Sequence, residues 1–496
     1  MSAAGDLFAT VPPLTSEYVE VHAAHRPDAV AVVFNGVSYS YARVDQDIKR
    51  FTLALRALRM APGCRVAVST GHLYLHWLLL LACENLALAT WTFLHGEEDV
   101  VLRVQLPIAD MVISDTPVPE GAARRFFMMT PAWVSQVWAS DPSPYAGAGL
   151  PVRVGMDAPW RIRRSSGTTG VQKMLPATRR VEEFWLHGFA ACVGLTQRSR
   201  YAARRHFTVG SIYSCATLAL RLGATVLLDT QSEALAIFRT FAPTHMRLFQ
   251  PELVALLEQL PPDWEKPRDF TLLVGAAPLT ERVWEKTVAR LTDQVVYNYN
   301  SNECGSICLM RPDGIGTVRP GVEVRIIDDA GHVCPPGQPG QITVRSPSAV
   351  GAYISDQAAS QKTFRDGWVH TGDQGVMVGP RQIRIVGRVD DLLNIGGLKL
   401  MPAEIEEPLK VGPALADAGA CSIPDENGLG RLHVGVVRKP GVSPEQAIEF
   451  VRTSVPSAFG RMQVVFFAAL PRTETGKLRR ALMREEIMRF LAARRA

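Results

Sequence analysis

The nine residues Ser165-Ser166-Gly167-Thr168-Thr169-Gly170-Val171-Gln172-Lys173 decide how the rest of the chain is read. The glycines let a backbone approach a phosphate with no Cβ in the way. The hydroxyls and amides can donate to phosphate oxygens, and Lys173 brings a mobile positive charge. The spacing is not that of a Walker A loop, which has four residues between its first glycine and the Gly-Lys pair. Small, polar and glycine-rich also describes a plain surface turn, so the stretch alone leaves both readings open.

Working outward, 496 residues suffice for two or more domains, each with its own core. With 47% hydrophobic and 20% charged residues, the composition is that of a globular protein. A net charge of +5 over this length leaves no footprint for nucleic acid. Cys304 and Cys308 lie close together, but no second pair completes a zinc site, so free thiols are expected. Those thiols and the lack of an evident signal peptide point to the reducing cytoplasm. Leu73 to Leu94 is apolar enough to raise a membrane span. His76, Glu84 and Asn85 inside it would be costly in lipid, so a buried helix running into a strand is expected.

The first part alternates strand and helix. Residues 29–34 and 37–39 predict strands joined by a hairpin turn at Asn35-Gly36. Ser40 then caps a helix with Val44, Ile48, Phe51, Leu55 and Leu58 at four-three spacing. Arg65 to Ser69, Thr225 to Asp229, Thr271 to Gly275 and Gln294 to Tyr299 read as further strands. Together they predict a largely parallel sheet whose ligands collect at strand carboxyl ends. A proline- and glycine-rich patch, Asp141 to Pro151, interrupts the alternation. From Gly316 to about Arg388 the pattern turns to short strands, as in a small barrel-like layer. Strands at Leu432 to Val437 and Val464 to Ala468 flank a helix at Ser443 to Val455, and a basic helix begins near Thr475. The fold class is therefore α/β, with a large N-terminal domain of layered sheets and a small α+β C-terminal domain.

Four more stretches carry chemistry. Tyr297-Asn298-Tyr299-Asn300-Ser301-Asn302-Glu303-Cys304-Gly305 ends a strand with a ring that can stack on a base and an acid that can hold magnesium. Trp368-Val369-His370-Thr371-Gly372-Asp373 places an acid after a tight turn, suited to ribose hydroxyls. Gly387-Arg388-Val389-Asp390-Asp391 precedes Gly396-Gly397-Leu398-Lys399, and the last stretch runs from Leu470 through Thr475-Gly476-Lys477 to Arg480. Each has a bland reading by itself: packing, a common turn, or a surface ion pair.

In this order, and with Gly275-Ala276-Ala277-Pro278-Leu279, Arg319-Pro320-Gly321 and Met401-Pro402-Ala403-Glu404, the chain resembles the acyl-adenylate-forming superfamily. That superfamily includes acyl- and aryl-CoA synthetases, adenylation domains of nonribosomal peptide synthetases, and luciferases. The resemblance covers about Ser16 to Arg489. It implies that ATP activates a carboxylic acid to an acyl-adenylate, with loss of pyrophosphate, before a thiol takes the acyl group. By motif, Ser165, Ser166, Gly167, Thr168, Thr169, Gly170 and Lys173 would hold the β- and γ-phosphates. Tyr299, with Asn300, would stack on adenine against Gly275, Ala276, Ala277 and Pro278. Glu303 would bind Mg2+, Asn302 would donate to the α-phosphate, and Asp373 with Arg388 would hold the ribose. Lys477 would be the catalytic lysine, reaching in from the small domain. The implied division is residues 1–386, a hinge at 387–391 around Asp390, and a mobile domain at 392–496. Gly396, Gly397 and Lys399 would form the thiol-tunnel loop.

Departures mark this member: Gln172 for the usual proline, Met174 for a glycine, Arg179 for a histidine, and Asn300 and Asn302 for glycine and threonine. Arg163, Arg164, Arg179 and Arg180 around the loop could touch phosphate or an acidic partner; a solvated face is the plainer expectation. His206-Phe207-Thr208-Val209-Gly210-Ser211 lacks the acid that binds an α-amino group in peptide-synthetase domains, which favours an aryl or short acyl acid. His206, Gly210 and Ser211 are the acid-pocket candidates, with a core role for His206 equally open. The leading expectation is a stand-alone ligase using coenzyme A. A carrier-protein phosphopantetheine arm is the alternative acceptor, and a nucleotide-binding regulator is the alternative of another class.

Overall fold

The computed structural model describes residues 11–165, 172–275, 279, 281–388, 393–395, 398–400, 402–424, 430–455, 462–473 and 476–493. Asn35 (φ 50°) and Gly36 (φ 76°) make the hairpin turn, both in the left-handed region that such two-residue loops require. Ser40 then accepts the Arg43 N–H, and the helix Tyr41–Arg56 buries Val44, Ile48, Phe51 and Leu55. It also buries Asp47, which the apolar spacing does not show. Arg43, Arg50 and the Tyr74 hydroxyl surround that carboxylate.

Leu73–Asn85 is a helix buried at every position, and the chain runs on into the strand Ala89–Thr92. Its polar groups are used internally. Glu84 accepts the Thr15 N–H at 2.7 Å, and Asn85 bonds Ser16 and Thr52. Among the described residues no helix is long and apolar enough to cross a membrane.

Two sheets enclose this helix layer. Six parallel strands run in the order Val30–Phe34, Thr225–Leu228, Arg200–Ala203, His245–Phe249, Thr271–Gly275 and Gln294–Ser301. At its last strand the sheet turns antiparallel and continues into the short strands between Gly305 and Arg388, so the barrel-like layer extends the large sheet. The second sheet has six strands and ends in the antiparallel pair Pro159–Arg164 and Met174–Thr178, which brackets the glycine-threonine loop. One apolar core joins Val66 and Val68 of the second sheet to Tyr201 and Val226 of the first, through the helices between them.

Leu415–Pro424, Gly430–Arg438 and Gln463–Phe466 form a separate three-stranded sheet. Ile405, Leu409, Leu432, Val434 and Val451 make its core. The closing helix is Arg480–Ala493 and starts later than its basic composition suggested. The reason is a tight turn around Lys477, closed by the Arg472–Leu478 bridge.

Candidate active site

The pair Pro159–Arg164 and Met174–Thr178 holds the loop at both ends. The Ser165 N–H donates to the Lys173 carbonyl at 2.8 Å, and the Lys173 N–H donates to Ser165 Oγ at 2.9 Å. Ser166, Gly167, Thr168, Thr169 and Gly170 lie outside the described residues. Lys173 Nζ stands 4.9 Å from the centre of the Tyr353 ring and 3.9 Å from Asp356 Oδ2. The Tyr353 hydroxyl in turn donates to Glu303 Oε1 at 3.0 Å. Burial and the neighbouring Glu303 hold that phenol well above its ordinary pKa. Glu303, Tyr353 and Lys173 therefore form one chain of contacts.

A second group lies at the end of the large sheet. Asp373 and Arg388 are partners across neighbouring strands, and Arg388 Nη1 reaches Asp373 Oδ1 at 3.3 Å. The Tyr299 hydroxyl donates to the other carboxylate oxygen at 2.5 Å. Burial raises the Asp373 pKa, opposed by Arg388, Tyr299 and the positive charge of Lys477. Lys477 is thus close enough to act on a carboxylate over a hundred residues away in sequence. Asn302 Nδ2 donates to the Arg164 carbonyl at 2.9 Å, so its amide ties the strand end to the loop pair. Asn300 is a strand residue opposite Ser306.

The Lys477 turn is braced from below. Arg472 makes two bonds to Asp417, at 2.8 and 2.5 Å, and a third to the Gly476 carbonyl at 2.6 Å. The Lys477 N–H donates to Thr473 Oγ1 at 3.1 Å. Gly476 has φ +82°, and a Cβ there would stand 2.8 Å from Pro251 Cγ. Glycine is required twice, by conformation and by contact. Pro251 is the second residue of the helix Gln250–Gln259, so Gly476 sits against the first turn of that helix.

A family model for AMP-binding enzymes matches residues 19–354. The chain belongs to the AMP-binding enzyme family. It is 25% identical to the fatty acid–[acyl-carrier-protein] ligase ScoC of Streptomyces coeruleorubidus, with 94% of each chain covered. It is 28% identical to an indoleacetate–CoA ligase of Aromatoleum aromaticum, over 96% of this chain and 98% of that one. Its fold matches ATP-bound MatB from Rhodopseudomonas palustris with a TM-score of 0.83 at 19% identity, covering 96% of this chain and 99% of the other. The family and these ligases together place the chain among AMP-forming acid–thiol ligases.

Other sequence candidates of this AMP-binding enzyme fall as follows. Ala276, Ala277, Pro278, Asp390, Gly396 and Gly397 lie outside the described residues, as does the Lys399 side chain. His206 packs edge-on against His76, with ring centres 4.6 Å apart, and burial lowers its pKa to about 4. Gly210 and Ser211 open the helix Gly210–Arg221, with Ser211 buried. Of the arginines around the loop, Arg163, Arg164 and Arg179 are drawn into the structure, and Arg180 pairs at the surface. Arg163 is buried on Glu182 and stacks on Trp185, while Arg164 takes both oxygens of Glu97. Arg179 is buried with its guanidinium on the Pro12 carbonyl, and Arg180 pairs with Asp157. Arg163 and Arg164 brace the strand that leads into the loop. Sequence reasoning missed Tyr353 and Asp417 and gave Arg472 no role of its own, because each acts through a partner far away in the chain.

Proposed function

We propose that this AMP-binding enzyme uses ATP to convert a carboxylic acid into an acyl-adenylate and then passes the acyl group to the thiol of coenzyme A. The observation that carries this is the meeting of the Lys477 turn with Asp373 and Pro251, on the side where Lys173 and Glu303 also lie. In the first step a carboxylate oxygen bonds to the α-phosphorus, and the bond to the β-phosphate bridging oxygen breaks. Pyrophosphate leaves with that electron pair. Negative charge builds on the phosphates, where Lys477 and Lys173 oppose it without rearrangement. In the second step the thiol sulfur bonds to the acyl carbon, AMP departs, and the thiol proton goes to solvent.

Glu303 suits a magnesium ion. Mg2+ is commonly held by one or two carboxylates and by substrate phosphates, and Glu303 is a single carboxylate oriented by Tyr353 near the phosphate-loop lysine. Bound there, the ion would neutralise phosphate charge. The absence of an acid in residues 206–211 supports an acid without an α-amino group. A phosphopantetheine arm presents the same thiol, and the similarity to a carrier-protein ligase supports that acceptor as the second reading.

ATP–pyrophosphate exchange tests the first step. Lys477→Ala should lower it by on the order of 10²–10³, with an unchanged melting curve. Near-normal exchange in that variant would remove the lysine from the chemistry. Comparing coenzyme A with a phosphopantetheinylated carrier as acceptor separates the two readings.

A further inference from the structure

Arg247 sits in the middle of the parallel strand His245–Phe249 and is only 2% exposed. Its neighbours Met246 and Leu248 point into the core on the outer face of the sheet. By strand alternation Arg247 points the other way, level with Leu273 of the next strand, which belongs to the core between the two sheets. Its guanidinium extends towards the carboxyl ends of the strands. A Cβ on Gly275 would stand 2.6 Å from its Nη2, so Gly275 leaves room for this side chain. Across from it is Cys215 of the helix Gly210–Arg221, whose first turn carries the acid-pocket candidates Gly210 and Ser211.

Among the described residues Arg247 has no counter-charge. Its Nε is sealed from solvent without an acceptor, and among the described residues no side chain or carbonyl bonds the guanidinium. Two other buried arginines of this layer take a carboxylate, Arg221 on Glu183 and Arg163 on Glu182, while Arg161 lies on the Tyr213 ring and the Phe207 carbonyl; Arg247 has neither a carboxylate nor a carbonyl among the described residues. An uncompensated buried cation is costly, and a site built around one selects a ligand that completes it.

We propose that Arg247 binds a second carboxylate on the acid, so that the substrate class is a dicarboxylic acid. One carboxylate faces the phosphates and Lys477, and the other rests on Arg247, beside Gly275 and across from Cys215. This rests on the adenylation reading above and names the acid that reading leaves open. A plain monocarboxylate of the same length leaves the guanidinium unpaired and is rejected on that ground.

The test uses matched pairs on the full chain: butyrate with succinate, pentanoate with glutarate, benzoate with phthalate. In ATP–pyrophosphate exchange the wild type should favour a dicarboxylate over its partner by at least about a hundredfold in kcat/KM. Arg247→Met should abolish or invert that preference, and Arg247→Lys should keep part of it. Independently of turnover, the favoured dicarboxylate should raise the melting temperature of the wild type and not of Arg247→Met, with inorganic phosphate as the control anion. A wild type that prefers monocarboxylates, or a dicarboxylate preference that survives Arg247→Met, overturns the assignment. Exchange with no acid at all would sink the adenylation reading instead, and the melting shift would still decide for or against Arg247: no shift with any dicarboxylate rejects it.

Discussion

Tyr353 joins two groups that the sequence shows only apart. Its hydroxyl orients Glu303 while its ring lies beside Lys173. Tyr353→Phe keeps the ring and removes the donor. The expected result is exchange that needs several-fold more Mg2+ at saturating ATP, with unchanged stability; an unaltered Mg2+ dependence would leave Tyr353 as packing. His206 makes a different prediction. Burial takes its pKa from the ordinary 6.5 to about 4, so between those values the unfolded chain binds a proton that the folded chain does not. Its contribution to stability is complete above about pH 6.5 and is lost as pH falls towards 4, amounting to roughly 3 kcal/mol. His206→Gln should flatten the melting temperature against pH in that window, and a slope equal to that of the wild type would count against it. Glu303, Asp373 and Lys477 could be proposed from the sequence because each stands in a local motif, and the structure brings the three near one another. Tyr353 and Arg247 were not, since a tyrosine and an arginine carry no signal until their neighbours are known.

The element that matters most is the turn from Arg472 to Leu478. Its shape comes from Gly476 in the left-handed region and from Arg472 tied to Asp417 on the strand Leu415–Pro424. Gly476→Ala adds backbone strain of about 1–2 kcal/mol and a clash with Pro251, so the lysine should lift away from its proposed place at the α-phosphate. Exchange should fall at least about tenfold, whereas release of product from chemically made acyl-adenylate should fall much less. Equal losses would show a general folding defect. Arg472→Met should resemble it more mildly. The turn was visible as Thr475-Gly476-Lys477, and its brace was not, because Asp417 lies more than fifty residues earlier. The arginines beside the phosphate loop carry the same lesson in reverse. Counted along the chain they look like a basic patch; Glu182 and Glu97 absorb Arg163 and Arg164 into the structure.

At the scale of the whole molecule, the C-terminal part has cores of its own, and its contacts with the rest of the described residues include Gly476 on Pro251 and the Val411 carbonyl on Arg282. We propose that this unit swings between the two half-reactions, with Asp390 as the pivot. Asp390→Pro, which restricts φ there, should spare pyrophosphate exchange and suppress thioester formation. Loss of both in equal measure would argue against a pivot. The parallel sheet, the buried helix Leu73–Asn85 and the adenylation motifs were determined by the sequence itself, because apolar periodicity, turn residues and short motifs are local properties of the chain. Only the tertiary structure decided which charges are spent on structure and which are left over. Pairing between Arg163 and Glu182, or its absence at Arg247 among the described residues, depends on which side chains the sheets bring face to face.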